Sequence, residues 1–327
     1  MEIGMQLMDS WIALLKESKG SVYQSPEWAK SLEMDGKKPT LIVIEESGQL
    51  KASLLAFEQE IITPLGKKKI LFSEGTPLFK DEQSGLEILS KFRQESKKYF
   101  YGLIRPTVIN QKKDIFEKAG YKTVSDSTIL VSLEKDKEFL WNSLEKKSAR
   151  WGVKTAEKNN LEFQELKTES EISEFYKLYK KTAHDGGFKE KSPDFLKELT
   201  KSRERARLFL IKKENKIIAG GIILIDNDYT ILNLTAASDE GYKLQAMPFL
   251  YWNLILFSKS LGKAYFDLGG YDKNAKQGEK IYNINKFKEN FGGDIVEQPH
   301  CSTNSKYTLI RSLMKRFKII KRFYKKK

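Results

Sequence analysis

The chain has 327 residues, 40% of them apolar and 31% charged, with a single cysteine, two histidines and a formal net charge of +14. These proportions suit a folded protein with room for two domains and exclude a disordered or fibrous chain. Cys301 alone forms no internal disulfide, and with only His184 and His300 beside it no Cys/His metal site is expected.

The charge is unevenly spread. Ten Lys or Arg and no acid fall within 306–327, which leaves 48 basic against 44 acidic residues for the rest. The opening stretch MEIGMQLMDSWIALLKESKG carries Glu2 and Asp9 and no long apolar run, so it reads as an amphipathic helix around Trp11, Ile12 and Leu15 rather than a signal peptide. No segment has the uncharged apolar length of a bilayer span, and the expected setting is the cytoplasm.

In chain order, a helix is predicted from Ser25 to Met34, then strands at Thr40–Glu46, Leu50–Gln59 and Lys68–Ser73 with a Ser47-Gly48 turn. A helix at Leu86–Lys98, a strand at Tyr101–Arg105, a helix at Asn110–Ala119 closed by Gly120, and strands near Tyr121–Val124 and Ile129–Leu133 follow. A basic helix spans Trp141–Lys158, with Lys146, Lys147, Arg150, Lys154 and Lys158 against Glu145 and Glu157. It is either a solvated face or a stripe facing phosphates.

The second half begins with a strand at Leu161–Leu166 and a helix at Ser170–Ala183. Ser192-Pro193-Asp194 is a helix start, Ser at the cap and Pro in the first turn. Three strands are then predicted, Ala206–Lys212, Lys216–Ile225 and Tyr229–Ser238, split by turns at Glu214-Asn215 and Asp226–Asp228. A long apolar helix at Met247–Leu261, a strand at Ala264–Leu268, a helix at Tyr282–Asn290 ended by Gly292-Gly293, and a strand at Asp294–Glu297 complete the chain up to its tail.

The class is therefore α/β with mixed, α+β-type sheets. The element order of the second half, β-α-α-β-β-β-α-β-α-β, resembles the GNAT acyltransferase superfamily, and the first half repeats most of it. Two tandem GNAT-like units are expected, at 1–138 and 139–300, followed by a basic amphipathic tail at 301–327.

More specific motifs lie on this frame. Phe266–Gly293 reads FDLGGYDKNAKQGEKIYNINKFKENFGG: a strand, paired glycines, then a helix with Lys286, Phe287 and Lys288 closing in Phe291-Gly292-Gly293. With Gln24-Ser25-Pro26-Glu27-Trp28, Trp141-Asn142-Ser143-Leu144 and Met247-Pro248, it resembles the Fem family of aminoacyl transferases. The resemblance covers almost the whole chain to about residue 300. It implies transfer of an amino acid from aminoacyl-tRNA to an amine of a peptidoglycan precursor, lipid-linked or UDP-linked, with aminoacyl-tRNA as co-substrate and no other cofactor or metal. The long helical hairpin of several members is absent, which implies a compact form.

The resemblance also implies roles. Lys288 matches the lysine after phenylalanine and would stabilise the oxyanion of the tetrahedral intermediate, and Phe287 would pack beside the reacting groups. Asp267 is a candidate carboxylate for deprotonating the attacking amine. Lys191 stands where the family holds a diphosphate, Thr235 faces the same cleft by strand alternation, and Gly269 and Gly270 shape it. Arg105 precedes Pro106 where several members carry an acid, which bears on the acceptor. Plainer readings stand beside these: Lys288 and Lys191 as solvated lysines, the glycines as turn residues.

An acyl-CoA-dependent N-acyltransferase in surface-polysaccharide synthesis is the rival on the same fold. Such enzymes seat a pyrophosphate on a glycine-rich helix start. Here Ser238–Pro248 and Gly75–Glu82 lack that motif and carry acids. A non-catalytic tRNA or membrane adaptor and an enzyme placing amino acids on membrane lipids are further alternatives. In the tail, Tyr307, Ile310, Met314, Phe317, Ile320 and Tyr324 recur every three or four residues among basic ones. That pattern suits a helix on the anionic inner face of the plasma membrane, on tRNA phosphates, or docked on the first unit.

Overall fold

In the computed structural model, residues 4–314 are described. The chain runs α1 (Met5–Glu17), α2 (Pro26–Met34), β1 (Pro39–Glu46), β2 (Gln49–Thr63), β3 (Gly66–Glu74), β4 (Leu78–Phe79), α3 (Glu82–Glu95), β5 (Gly102–Arg105), α4 (Lys113–Lys118) and β6 (Lys122–Ser132). It continues with α5 (Lys137–Ser143), a π-helical turn (Lys146–Arg150), α6 (Trp151–Lys158), β7 (Glu162–Glu165), α7 (Glu169–Gly186), α8 (Pro193–Lys201), β8 (Ala206–Lys213), β9 (Lys216–Ile225) and β10 (Tyr229–Ala237). Then come α9 (Asp239–Lys243), α10 (Ala246–Ser260), β11 (Tyr265–Tyr271), α11 (Lys280–Glu289) and β12 (Asp294–Ser302).

Two compact units result. One comprises the described residues of Met1–Ser125 and Gln298–Lys327, the other Asp126–Glu297. The expected borders were 138/139 and 300/301; contacts put them at 125/126 and 297/298 because a strand after each border pairs beyond it. Residues 127–132 pair antiparallel with β11, and Cys301 and Ser302 pair antiparallel with β5. Where two short strands were predicted around 121–133, one strand, β6, runs through.

In the first unit β1, β2 and β3 form an antiparallel meander and β3 pairs parallel with β5. Ile42, Leu54, Leu71, Ile88, Phe92, Ile104 and Phe116 are buried in one core. The Gln24-Ser25-Pro26-Glu27-Trp28 motif has a local explanation. Ser25 caps α2 through the Trp28 amide, Pro26 supplies its first turn, and Trp28 is buried. Gln24, fully buried, stitches strands that have separated: the β2–β3 ladder stops at Phe57–Phe72, and the Gln24 amide accepts from Leu55 N at 2.8 Å and donates to Glu74 O at 2.5 Å.

In the second unit β7, β8, β9 and β10 are antiparallel neighbours and β10 pairs parallel with β11. The core gathers Val131, Leu140, Val153, Phe209, Ile223, Leu250, Leu254 and Phe266. The expected single basic helix is broken: α5 ends at Ser143, Leu144 and Glu145 are extended, and a π-helical turn leads into α6. At the tail, residues 306–314 are helical, Ile310 is buried and Arg311 donates to Tyr307 Oη at 3.2 Å. The remainder of the predicted tail helix, with Phe317, Ile320 and Tyr324, lies outside the described residues.

Candidate active site

Parallel strands leave a binding crevice at their carboxyl ends where their pairing stops. The β10–β11 ladder holds only at Tyr229–Tyr265, Thr230–Phe266 and Ile231–Asp267, although β10 continues to Ala237 and β11 to Tyr271. Both strands change register at the parting: β10 between Leu232 and Leu234 against β9, β11 between Asp267 and Gly270 against β6. The strand predicted to end at Leu268 therefore continues past its glycines as a bulge. In the first unit the corresponding pair β3–β5 stays zipped to Glu74–Arg105, and Gly75 N extends it to Arg105 O at 2.9 Å.

The bulge is built from specific contacts. Asp267, buried, accepts hydrogen bonds from Gly269 N at 2.8 Å and from the Thr128 hydroxyl. Gly269 has φ +79°, in the left-handed region; a Cβ there would sit 3.5 Å from both Leu232 O and Lys288 Nζ. The Lys288 ammonium thus lies in the mouth where the strands part.

Helix α11 is fastened to β11 by residues on one face. Asn285, buried, donates to Asp272 O at 2.8 Å, Lys288 donates to Gly270 O at 2.8 Å, and Glu289 accepts from Tyr271 Oη at 2.7 Å. The spacing 285, 288, 289 is one helical turn. Phe287 and Phe291, four apart, pack instead on the Tyr251 ring of α10, with centroids 5.0 Å away in each case. Tyr251 is buried and hydrogen-bonded to Thr235 on β10; burial pushes its phenol up and the Thr235 bond offsets part of that. The sequence gives no signal for Tyr251, which sits in a helix that is apolar nearly all round, nor for Thr128 on β6.

Lys288 is 9% exposed, and burial pushes its ammonium down from 10.5 to about 8, the nearby Asp267 carboxylate countering part of the shift. Of its three N–H donors, one is used within the chain among the described residues, by Gly270 O. The others are available to an oxygen entering the wedge.

The structure therefore brings Lys288, Phe287, Asp267, Thr235, Gly269 and Gly270 into one connected group. Lys191 stands at the head of α8, its amide donating to Tyr179 Oη at 3.2 Å and its ammonium 4.7 Å above the Phe195 ring. Arg105 belongs to the other unit, where it ion-pairs with Glu74; burial opposes its charge, but Glu74 outweighs that and its pKa is raised. Among the described residues no group of three or more His, Cys, Asp or Glu is placed to hold a metal, and no helix is long and apolar enough to cross a membrane.

Residues 145–277 match the family model described as an acetyltransferase (GNAT) domain. The match falls within the second unit and supports the class of transferases. Among solved structures, FemX superposes with a TM-score of 0.72 at 13% identity, covering 95% of this chain and 98% of that one. L-PGS from Bacillus licheniformis gives 0.63 at 16% identity, covering 98% and 99%. The C-terminal domain of a protein assigned as a lysylphosphatidylglycerol synthetase, from Agrobacterium fabrum, gives 0.62 at 14% identity, covering 94% of each. At these identities the likeness is one of fold: the chain has the Fem-like double-GNAT fold. No curated protein sequence matches it.

Proposed function

We propose that the protein transfers an amino acid from aminoacyl-tRNA to an amine of a peptidoglycan precursor. The reading rests above all on the buried Lys288 ammonium at the β10–β11 wedge, which keeps N–H donors for an oxyanion. Attack of the amine nitrogen on the ester carbonyl forms the C–N bond and puts negative charge on the carbonyl oxygen; collapse breaks the C–O bond to the ribose, whose oxygen takes a proton. Lys288 stabilises the intermediate oxygen, Gly269 and Gly270 hold the bulge that places Lys288, and Thr235 through Tyr251 fixes the Phe287 wall. The proton of the attacking amine goes to Asp267 or to a group of the substrate itself.

The start of α10 disfavours acyl-CoA as donor. A pyrophosphate needs free N–H groups at a helix N-terminus, but Ala246, Met247 and Pro248 there are buried, and Pro248 has no N–H. Just before it, Ser238 caps α9 and Asp239 and Glu240 occupy the first turn. Lys191 is proposed to hold the acceptor's diphosphate, and Arg105 of the first unit is proposed as a substrate-binding residue. The basic tail is proposed to favour an anionic membrane surface.

A second reading is supported by the fold shared with L-PGS over 98% of this chain: the acceptor is a lipid headgroup. Incubating the full chain with a pool of charged tRNAs and either lipid-linked peptidoglycan precursor or phosphatidylglycerol vesicles separates the two by mass spectrometry. An added amino-acid mass on the precursor supports the first reading; the same mass on the lipid replaces it. Turnover with acetyl-CoA and none with tRNA refutes both.

A further inference from the structure

The broken basic segment at the start of the second unit presents a face that the wedge chemistry does not use. Lys147, Arg150, Trp151, Lys154 and Lys158 recur at helical spacing over about 16 Å of helix. The opposite side, Ala149, Gly152, Val153 and Ala156, is buried. Gly152 lets α6 press against α10: a Cβ there would stand 2.7 Å from Pro248 Cγ, closer than any side chain fits.

Lys147, Trp151, Lys154 and Lys158 are exposed, Trp151 by 54%, and Phe139 on α5 is equally bare. Among the described residues none of Lys146, Lys147, Arg150, Lys154 and Lys158 forms an ion pair, although Glu145 and Glu157 share the segment. Elsewhere in the same unit Lys181 pairs with Asp239, Lys212 with Glu171, Lys216 with Glu240 and Lys286 with Glu289. Cations without a carboxylate partner thus surround an exposed indole on this face.

The face is also tied to the site. Asn290, just after α11, donates from Nδ2 to Ser148 Oγ at 2.6 Å, and its carbonyl accepts from Glu145 N at 2.8 Å. The turn that begins the stripe is thereby bonded to the end of the helix carrying Lys288.

We infer that this face binds the single-stranded, aminoacylated end of the donor RNA, with Trp151 stacking on a base and the lysines tracking phosphates. The inference rests on the aminoacyl-tRNA reading given above. Cationic stripes with interleaved aromatics are how proteins grip single-stranded nucleic acid without reading sequence. A membrane surface is the poorer occupant: an interfacial helix inserts a broad apolar face, and the apolar side of α6 is consumed in the core, leaving one indole among cations.

The test measures binding of the full chain to a deacylated tRNA mixture across a range of salt concentrations, with sedimentation on phosphatidylglycerol-containing vesicles in parallel. For a K147Q/K154Q/K158Q variant the slope of log K against log salt becomes shallower by about 2, since each lost phosphate contact removes roughly 0.7–0.9. Trp151→Ala weakens tRNA binding roughly 5- to 150-fold at unchanged slope. All substituted side chains are exposed, and circular dichroism confirms that the variants fold. Wild type that binds tRNA while both variants match it in slope and affinity overturns this surface and leaves the donor reading intact. Wild type that binds no tRNA overturns both. Variants that lose only vesicle binding assign the stripe to lipid instead.

Discussion

The ammonium of Lys288 on α11 donates to the carbonyl of Gly270 on β11 at 2.8 Å, across a bulge made by a glycine at positive φ. Among the described residues no other lysine or arginine is as buried, and the Asp267 carboxylate lies nearby. A buried ammonium is costly to the fold, and on the proposed function it serves the reaction.

That cost can be measured. Lowering the pKa from 10.5 to about 8 means that the folded protein releases a proton the unfolded chain retains between those values. Below the lower value both states are protonated, so wild type bears a constant penalty of about 3 kcal/mol relative to a neutral side chain. The lost bond to Gly270 O in Lys288→Met offsets about 1–3 kcal/mol of the relief. The variant is therefore expected to be at least as stable as wild type at neutral pH in denaturant titrations. Wild type should then gain on it as pH rises from about 8 towards 10.5. A variant that is much less stable, or a difference flat with pH, refutes the buried-cation assignment.

The same titration bears on catalysis. If the protonated form stabilises the oxyanion, kcat/KM falls as pH rises through about 8. Lys288→Arg, charged throughout, removes that falling limb even where its larger head lowers the rate. A falling limb that persists in the arginine variant assigns it to another group.

Gly269 tests the bulge. Alanine at φ +79° carries left-handed strain of about 1–2 kcal/mol, and its methyl group stands in contact, at 3.5 Å, with the Lys288 ammonium and Leu232 O, where an entering oxygen would lie. Gly269→Ala should lower both thermal stability and kcat, whereas Gly270→Ala, with open space at its Cβ and no positive φ, should change stability by less than about 0.5 kcal/mol. Equal losses in the two variants, read by calorimetry and single-turnover rates, contradict the geometry.

Gln24 is expected to matter only for folding. Gln24→Leu leaves Leu55 N and Glu74 O without their buried partner, at roughly 3 kcal/mol or more in total. Chemical denaturation should show that loss, with the specific activity of the remaining folded protein unchanged.

Much of this was legible before any coordinates. Local patterns place the strands and helices of the second half to within a few residues, because the alternation at 161–166, the apolar runs of β8 and β9 and the Ser192-Pro193 cap are local signals. What escaped was non-local. The units' borders depend on which strand pairs with which, and a strand spanning 122–132 reads as two because polar Ser125, Asp126 and Ser127 interrupt its apolar run. The bulge at Gly269 looks like a strand end for the same reason that glycine usually marks one. Lys288 is singled out by the family resemblance and not by periodicity, which leaves it as one lysine in a lysine-rich helix; Asn285 and Glu289 on the same face, both bonded to β11, give it an inward direction. Tyr251 could not have been told from its apolar neighbours.

The central claim is that Lys288 acts on the acyl-transfer step. Single-turnover transfer of a labelled amino acid from charged tRNA to the acceptor tests it most directly, in wild type against Lys288→Met. Loss of one oxyanion donor should slow the step by about 100- to 1,000-fold with substrate binding little changed. A Met variant that transfers at the wild-type rate contradicts the account.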